Sequence, residues 1–342
     1  MTGRLLVTGG AGYVGSHCAR RLARAGFDVV TLDDLSQGHR EAVTGRLVVG
    51  DVRDRDELAS ALRGVDLVLH FAARMSVGES HLDPVGYWDV NVGGTIALLD
   101  AMAAAGVRRL VVSSSCAVHG ISDAIPIPEG APLAPISPYG ETKAAMERLV
   151  VAAERAGRIE AIRLRYFNAA GAAEDGWLGE AHDPETHLIP LAIAAAVGGP
   201  PLTLFGDAHP TPDGTCIRDY VHVEDLADAH LAAVWRLGAG GGGAAFNLGT
   251  GRGVSVRDVF AAVERHVGPV PHTVAATRPG DPPALVADPR ASAVGLDWRA
   301  TRDLDAIVRD ASRWHRAPRF GPGARRHADR APGREPARGE AR

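Results

Sequence analysis

The chain has 342 residues, 46% of them apolar and 23% charged, with 37 Lys+Arg against 41 Asp+Glu for a formal net charge of -4. That is an ordinary globular composition, with length enough for one large α/β domain or two smaller ones. No run reaches the roughly 20 apolar residues of a membrane helix, which excludes a helical membrane span and makes a membrane partner unexpected. The small net charge says nothing about whether the ligand is anionic.

In chain order, the strand-like Arg4–Thr8 begins at once and leaves no room for a signal peptide. Further strands are expected at Asp28–Leu32, Arg46–Val49, Asp66–Phe71, Arg109–Ser114 and Glu160–Arg165. Helical patterns fall between them at Tyr13–Ala25, Glu57–Arg63, Val85–Ala105 and Tyr139–Ala156. Apolar strands without polar alternation, separated by helices, predict a doubly wound parallel α/β sheet of Rossmann type, with ligands at the carboxyl ends of the strands. After Arg165 the regularity breaks. Loop residues crowd Gly199–Gly214, a helix is expected over Glu224–Leu237, and the run Gly238–Gly243 reads as a flexible loop. The tail from Ala317 is Arg, Pro, Gly and Ala, and is expected to be disordered and solvated, with no nucleic-acid partner. The expected division is a cofactor domain over 1–167 to which later segments return, a smaller α/β substrate-binding region over 168–316, and a basic tail over 317–342. Cys18, Cys116 and Cys216 are odd in number and lack metal-ligand spacing, so reduced thiols in a cytoplasm are expected, with no metal.

Two constellations carry chemistry. The first is Thr8-Gly9-Gly10-Ala11-Gly12-Tyr13-Val14-Gly15, at the turn from strand to helix. Glycines three apart permit a tight turn and let a pyrophosphate approach the free N–H groups of the helix N-terminus. Asp33, closing the next strand, is placed to accept hydrogen bonds from an adenosine ribose, which favours NAD over NADP. Asp51 in Gly50-Asp51-Val52 is a candidate contact for the adenine edge. The second is Tyr139-x-x-x-Lys143. Lys143 is the only lysine among the 37 basic residues, so a compact ammonium is retained there and nowhere else. One helical turn separates the pair, so both face the same side. A free phenol with a pKa of about 10 is a poor base at neutral pH, and a neighbouring ammonium favours its phenolate. Ser115, following Ser113-Ser114 at a strand end, is the candidate hydroxyl to bond the reacting oxygen.

The ordered motifs from Arg4 to about Trp314 resemble the extended short-chain dehydrogenase/reductase family, and within it the UDP-hexose 4-epimerase group. They are Thr8 to Gly15, Leu32-Asp33-Asp34-Leu35-Ser36, His70-Phe71-Ala72-Ala73, Val77-Gly78-Glu79-Ser80, Asn91-Val92, Ser113 to Ser115, Tyr139 to Lys143, Tyr166-Phe167-Asn168, Asp213-Gly214-Thr215, Arg218-Asp219-Tyr220 and Gly280-Asp281-Pro282. The resemblance implies interconversion of UDP-galactose and UDP-glucose through NAD-mediated oxidation at sugar C4. It implies NAD contacts from Gly9, Gly12, Tyr13, Val14, Gly15, Asp33, Asp34, Leu35, Ser36, Asp51, Val52, Phe71, Ala72, Ala73, Asn91, Tyr139, Lys143 and Phe167. It implies UDP-sugar contacts from Ser115, Tyr139, Asn168, Leu188, Phe205, Arg218, Tyr220, Arg278, Asp281 and Leu285. Arg218 and Arg278 offer the paired donors that suit a diphosphate. A homodimer through the helices Val85–Ala105 and Tyr139–Ala156 is also implied.

Three positions depart from the family pattern. His119 stands where tyrosine is usual, Met75 where many relatives carry a cofactor-holding lysine beside Arg74, and Leu285 at a variable gate to the sugar pocket. Dehydratases and decarboxylases of this superfamily place an acid after the active-site hydroxyl, whereas Cys116-Ala117 follow here. Epimerases of UDP-glucuronate or of UDP-N-acetylhexosamines share the chemistry at C4 and stay open as alternatives. An NAD-binding regulator without turnover would share the fold, but the intact Ser115, Tyr139 and Lys143 set speaks against it.

Overall fold

The computed structural model describes residues 2–278 and 281–324. Its centre is a seven-stranded parallel sheet. The first six strands are β1 (Arg4–Thr8), β2 (Asp28–Asp33), β3 (Arg46–Val49), β4 (Leu67–His70), β5 (Arg109–Ser115) and β6 (Glu160–Tyr166). The seventh is Ala244–Leu248, and the order across the sheet is Ala244–Leu248, β6, β5, β4, β1, β2, β3. Side chains alternate between two cores, as the two-residue strand period requires. Leu5, Val7, Leu69, Val111 and Ile162 pack on one face with the helix Val223–Gly238. Leu6, Val30, Val68, Leu110 and Val112 pack on the other with Leu98, Met102 and Met146. Both faces are dry, so the strands read as continuous apolar runs.

Strand order reverses between β1 and β4, which opens a crevice at their carboxyl ends. Helix α1 (Tyr13–Arg24) follows β1, and the helix Pro138–Arg155 lies against β5 and β6. The latter starts sharply because Ser137 Oγ accepts the Gly140 N–H at 3.1 Å and proline sits at the first helical turn.

Four expectations are corrected. The helix expected over Val85–Ala105 is a short helix Pro84–Tyr87, a wide π turn Trp88–Gly93 and a helix Gly94–Ala105. The π turn carries Asn91 inward, and such bulges cluster at functional sites. The run Gly238–Gly243 is a tied turn, since Gly241 N–H donates to Arg236 O at 2.9 Å and Gly243 N–H to Ala161 O at 2.9 Å. It delivers the unforeseen strand Ala244–Leu248 to β6 in parallel register; its alanines carry no strand signal. The stretch after Arg165 is more regular than expected, because helices Leu188–Ala196, Val256–His266 and Leu304–Arg316 share a core of their own. The tail is ordered at its start, where Phe320 packs on Trp314 at a ring distance of 4.8 Å and on His39 at 5.0 Å. One buried aromatic ring outweighs the polar composition around it. Residues 325–342 of the expected disordered tail lie outside the described residues. Among the described residues no helix is long and apolar enough to cross a membrane.

Candidate active site

Gly9 and Gly15 are demanded by the protein itself. Gly9 has φ +71°, a side chain on it would meet Ala72 N at 2.6 Å, and one on Gly15 would meet Gly9 O at 2.2 Å. Gly12 is different: its nearest obstacle would be Gly9 O at an ordinary 3.4 Å. Helix α1 begins there with no side-chain cap and no acid in its first turn. An open, uncapped helix N-terminus is the place a pyrophosphate occupies, so the residues present fit NAD. Tyr13 is anchored by its hydroxyl donating to Gly171 O at 2.7 Å, and Val14 packs into the core beside β1.

Asp33 is buried where β2 ends, and its two carboxylate oxygens accept the N–H groups of Ala11 and Leu35, each at 2.9 Å. It clasps the glycine turn from the neighbouring strand. Burial raises its pKa above the ordinary carboxylate value. Leu35 has φ +59°, unusual for a branched residue, in the segment Asp34-Leu35-Ser36 where Asp34 accepts the Ser36 N–H at 2.9 Å. Asp51 accepts from the Arg53 backbone N–H at 2.8 Å, and its pairing with the Arg53 guanidinium holds its carboxyl low. Val52 is buried beneath Gly94. Phe71, Ala72 and Ala73 leave β4 directly over Gly9. Asn91, expected to contact the cofactor, is held within the protein by three bonds. Its amide donates to Arg74 O at 3.0 Å and Thr142 Oγ1 at 2.9 Å, and its carbonyl accepts the Arg74 N–H at 2.8 Å. With both amide donors used, it positions the loop after β4 against the helix that carries Tyr139.

Ser115 ends β5 in register with Tyr166 of β6. Its hydroxyl accepts the Ala117 N–H at 3.2 Å and lies near enough to the Tyr139 phenol to favour its ionised form. Burial pushes Tyr139 up to about 12, against the lowering effect of the nearby Ser115 hydroxyl. In the protein alone the phenol is therefore protonated at neutral pH. The Lys143 ammonium lies 5.9 Å from the Tyr139 ring centre and donates to Ser113 O at 2.9 Å. Burial lowers Lys143 to about 8 from 10.5, with the Glu147 carboxylate opposing the fall. Between these two values the folded protein binds fewer protons than the unfolded chain, so stability rises with pH across that window and the buried ammonium is destabilising at pH 7. Lys143→Met is expected to raise the thermal midpoint at pH 7 while abolishing turnover; a lower midpoint on a melting curve would contradict this.

The spacing argument missed the residues beneath this pair. Glu147, one turn after Lys143, accepts from Arg165 Nε at 2.8 Å and Nη2 at 2.6 Å and from Ser114 Oγ at 2.5 Å. The four-residue spacing from Lys143 was the available signal, but a glutamate on a helix reads as solvated until Arg165 of β6 is brought opposite. Tyr166 bonds the Ser113 hydroxyl in the same layer.

On the substrate side, Phe167 is buried in an apolar group with Cys116, Ile127 and Ala287, and Leu285 packs at its edge. Asn168 and Tyr220 pair on adjacent short strands. The Arg218 guanidinium donates to Pro282 O at 2.8 Å and pairs with Asp281. Arg278 stacks on Phe205 with its central carbon 3.7 Å from the ring centre. Leu188 opens the helix that backs this region. Of the departures, Arg74 does not stand in for the missing lysine. Its guanidinium pairs with Glu79 and Asp83, each at 2.5 Å, and lies over the Tyr87 ring, while Met75 is half exposed. His119 is buried against Pro132 O and Arg165, and burial holds its pKa below the ordinary histidine value.

The chain is 48% identical over 322 residues to the UDP-glucose 4-epimerase of Streptomyces lividans, covering 92% of this chain and 97% of that one. The crystal structure of UDP-glucose 4-epimerase from Brucella ovis in complex with NAD superposes with a TM-score of 0.89 at 48% identity, covering 91% of this chain and 97% of that one. That of Stenotrophomonas maltophila, with bound NAD and formylated UDP-arabinopyranose, gives 0.89 at 40% identity over 92% and 98%. The sequence model of the NAD dependent epimerase/dehydratase family matches residues 5–249, from β1 through the last sheet strand, and the chain belongs to that family.

Proposed function

We propose that this enzyme interconverts UDP-galactose and UDP-glucose by inverting sugar C4. The observation that carries the reading is the convergence of Ser115, Tyr139 and Lys143 at the crevice beside an open, uncapped helix N-terminus. NAD, when bound, supplies the hydride acceptor and then the donor at C4, along with a positive ring charge. Tyr139 takes the proton of the 4-hydroxyl, Ser115 steadies the same oxygen, and Lys143 holds positive charge beside the phenol so that it ionises. Once the 4-keto sugar has turned over and presents the other face of C4, Tyr139 returns the proton to the C4 oxygen. Residues 168–316 supply most of the UDP-sugar contacts. Arg278, with its flat face on Phe205, keeps its N–H edge for the diphosphate, and Arg218 joins it from its pair with Asp281. Asn168 makes no side-chain hydrogen bond among the described residues and is placed to meet a sugar or phosphate oxygen.

The deciding experiment is turnover of UDP-galactose by purified protein with no cofactor added. UDP-glucose formation is expected, with NAD carried through purification. Absence of product, even with NAD supplied, refutes the assignment.

Leu285 borders the apolar group around Phe167 and carries no ring or hydroxyl. The pocket is expected to admit an N-acetyl group and to turn over UDP-N-acetylglucosamine at more than about a hundredth of the UDP-glucose rate; a slower rate in a direct competition assay argues against it.

A homodimer accounts for apolar residues left exposed on the Val77–Ala105 face, among them Leu82, Val85, Trp88 and Ile96. An elution mass of one chain at micromolar concentration would remove this reading. The three free cysteines suit a reducing cytoplasm, and recovery of the chain in an extracellular fraction would argue otherwise.

A further inference from the structure

Away from the crevice, the loop Glu180-Ala181-His182-Asp183-Pro184-Glu185-Thr186-His187 brings four side chains to one point. Glu180, His182, Glu185 and His187 each direct one ligand atom inward, and these atoms all lie within 4.8 Å of one another. His182 Nδ1 is 3.0 Å from Glu180 Oε1 and 3.9 Å from Glu185 Oε1, and His187 Nδ1 is 2.5 Å and 3.3 Å from the same two oxygens. A tetrahedral cation with bonds of about 2.0–2.2 Å separates its ligands by about 3.3–3.5 Å, and the observed spacings straddle that edge.

The alternative is a cluster of ordinary hydrogen-bonded ion pairs, and the bonding pattern does not favour it. Glu180 Oε1, His182 Nδ1 and His187 Nδ1 are buried and within ion-pair distance, yet none is aligned for a hydrogen bond to another or to any group outside the cluster among the described residues. The side chain of Glu180 is only 3% exposed. Buried polar atoms are nearly always satisfied, so three that converge without aligning on each other point at a shared centre. The supporting shell is also in place. The N–H groups of Thr186 and His187 donate to Glu185 Oε1 at 2.8 and 2.9 Å, and Trp314 Nε1 donates to Glu180 O at 2.7 Å. Fixing ligands from outside in this way is usual at metal sites.

We propose that Glu180, His182, Glu185 and His187 form a closed, four-coordinate site for a divalent transition metal of the zinc class, bracing the loop between the cofactor turn and the substrate helix. Two imidazoles with two carboxylates suit zinc better than magnesium or calcium, which prefer oxygen alone. With four protein ligands and no open position, the site is structural. Tyr13, next to Gly12, lies edge-on to His182 at 6.1 Å, and Leu188 begins its helix directly after His187. The metal thus stiffens a single loop that lies against Tyr13 and leads directly into the helix Leu188–Ala196.

The test uses the full-length protein, stripped with a chelator and titrated with Zn2+ at pH 7.5. Binding of about one equivalent per chain is expected, read by calorimetry, with a raised thermal midpoint. Co2+ in place of Zn2+ should give the intense visible absorption of a four-coordinate ion, a readout that needs no variant. The Glu180→Gln/His187→Asn double variant should lose the absorption band and the midpoint shift together. A stripped wild-type protein showing neither the cobalt band nor a metal-dependent midpoint overturns the proposal and leaves a cluster of ion pairs. Binding that persists in the double variant overturns it as well.

Discussion

Tyr139→Phe should lower turnover by about 10²–10⁴-fold, the range in which positioned acid–base groups contribute, while NAD content and UDP affinity stay at wild-type values. The ring remains, so packing at the start of the helix Pro138–Arg155 is preserved, and only the hydroxyl near Ser115 is lost. The burial that drives the phenol up to about 12 also means that it acts as a base only when positive charge is near. The check is steady-state turnover of UDP-galactose beside the absorbance of bound nicotinamide in the same sample. A variant that retains wild-type turnover would place the general base elsewhere. A variant that loses bound NAD would make Tyr139 a binding residue rather than a proton carrier.

Removal of the Glu147 carboxylate should produce the largest change in stability. Glu147→Ala strands Arg165, which is 6% exposed and loses both of its bonds to that carboxylate. Breaking a buried pair from one side costs about 3–5 kcal/mol, which urea unfolding would resolve; an unchanged midpoint would show the pair to be dispensable. The same carboxylate supports the charge on Lys143. In its absence Lys143 falls below about 8, and the alkaline limb of the pH–rate profile is expected to move to lower pH. Glu147→Gln keeps a hydrogen-bonding partner for Arg165 and Ser114, so it should recover part of the stability without restoring the profile. That split separates support of Lys143 from a purely structural role.

Legibility in the sequence followed the range of the interactions. Six of the seven sheet strands were readable because each is a short apolar run with a helical pattern after it, and their observed ends fall within about one residue of expectation. The seventh, Ala244–Leu248, was not, because alanines next to a glycine run become a strand only when the β6 edge offers partners. Met75 raised the question whether Arg74 could replace a cofactor-holding lysine. Only the fold answers it, by setting Glu79, Asp83 and the Tyr87 ring around that guanidinium.

The sequence by itself determined the parallel sheet, the open turn at Gly12, and the shared face of Tyr139 and Lys143. Each of these depends on spacings of two, three or four residues that backbone geometry converts directly into direction. Tertiary structure alone decided that Asn91 clamps a loop, that Arg165 neutralises Glu147, and that three unsatisfied buried atoms converge beside Tyr13. Those outcomes depend on which distant groups burial forces together. A buried charge or polar atom takes its character from the partner it meets, and one-dimensional spacing does not carry that partner.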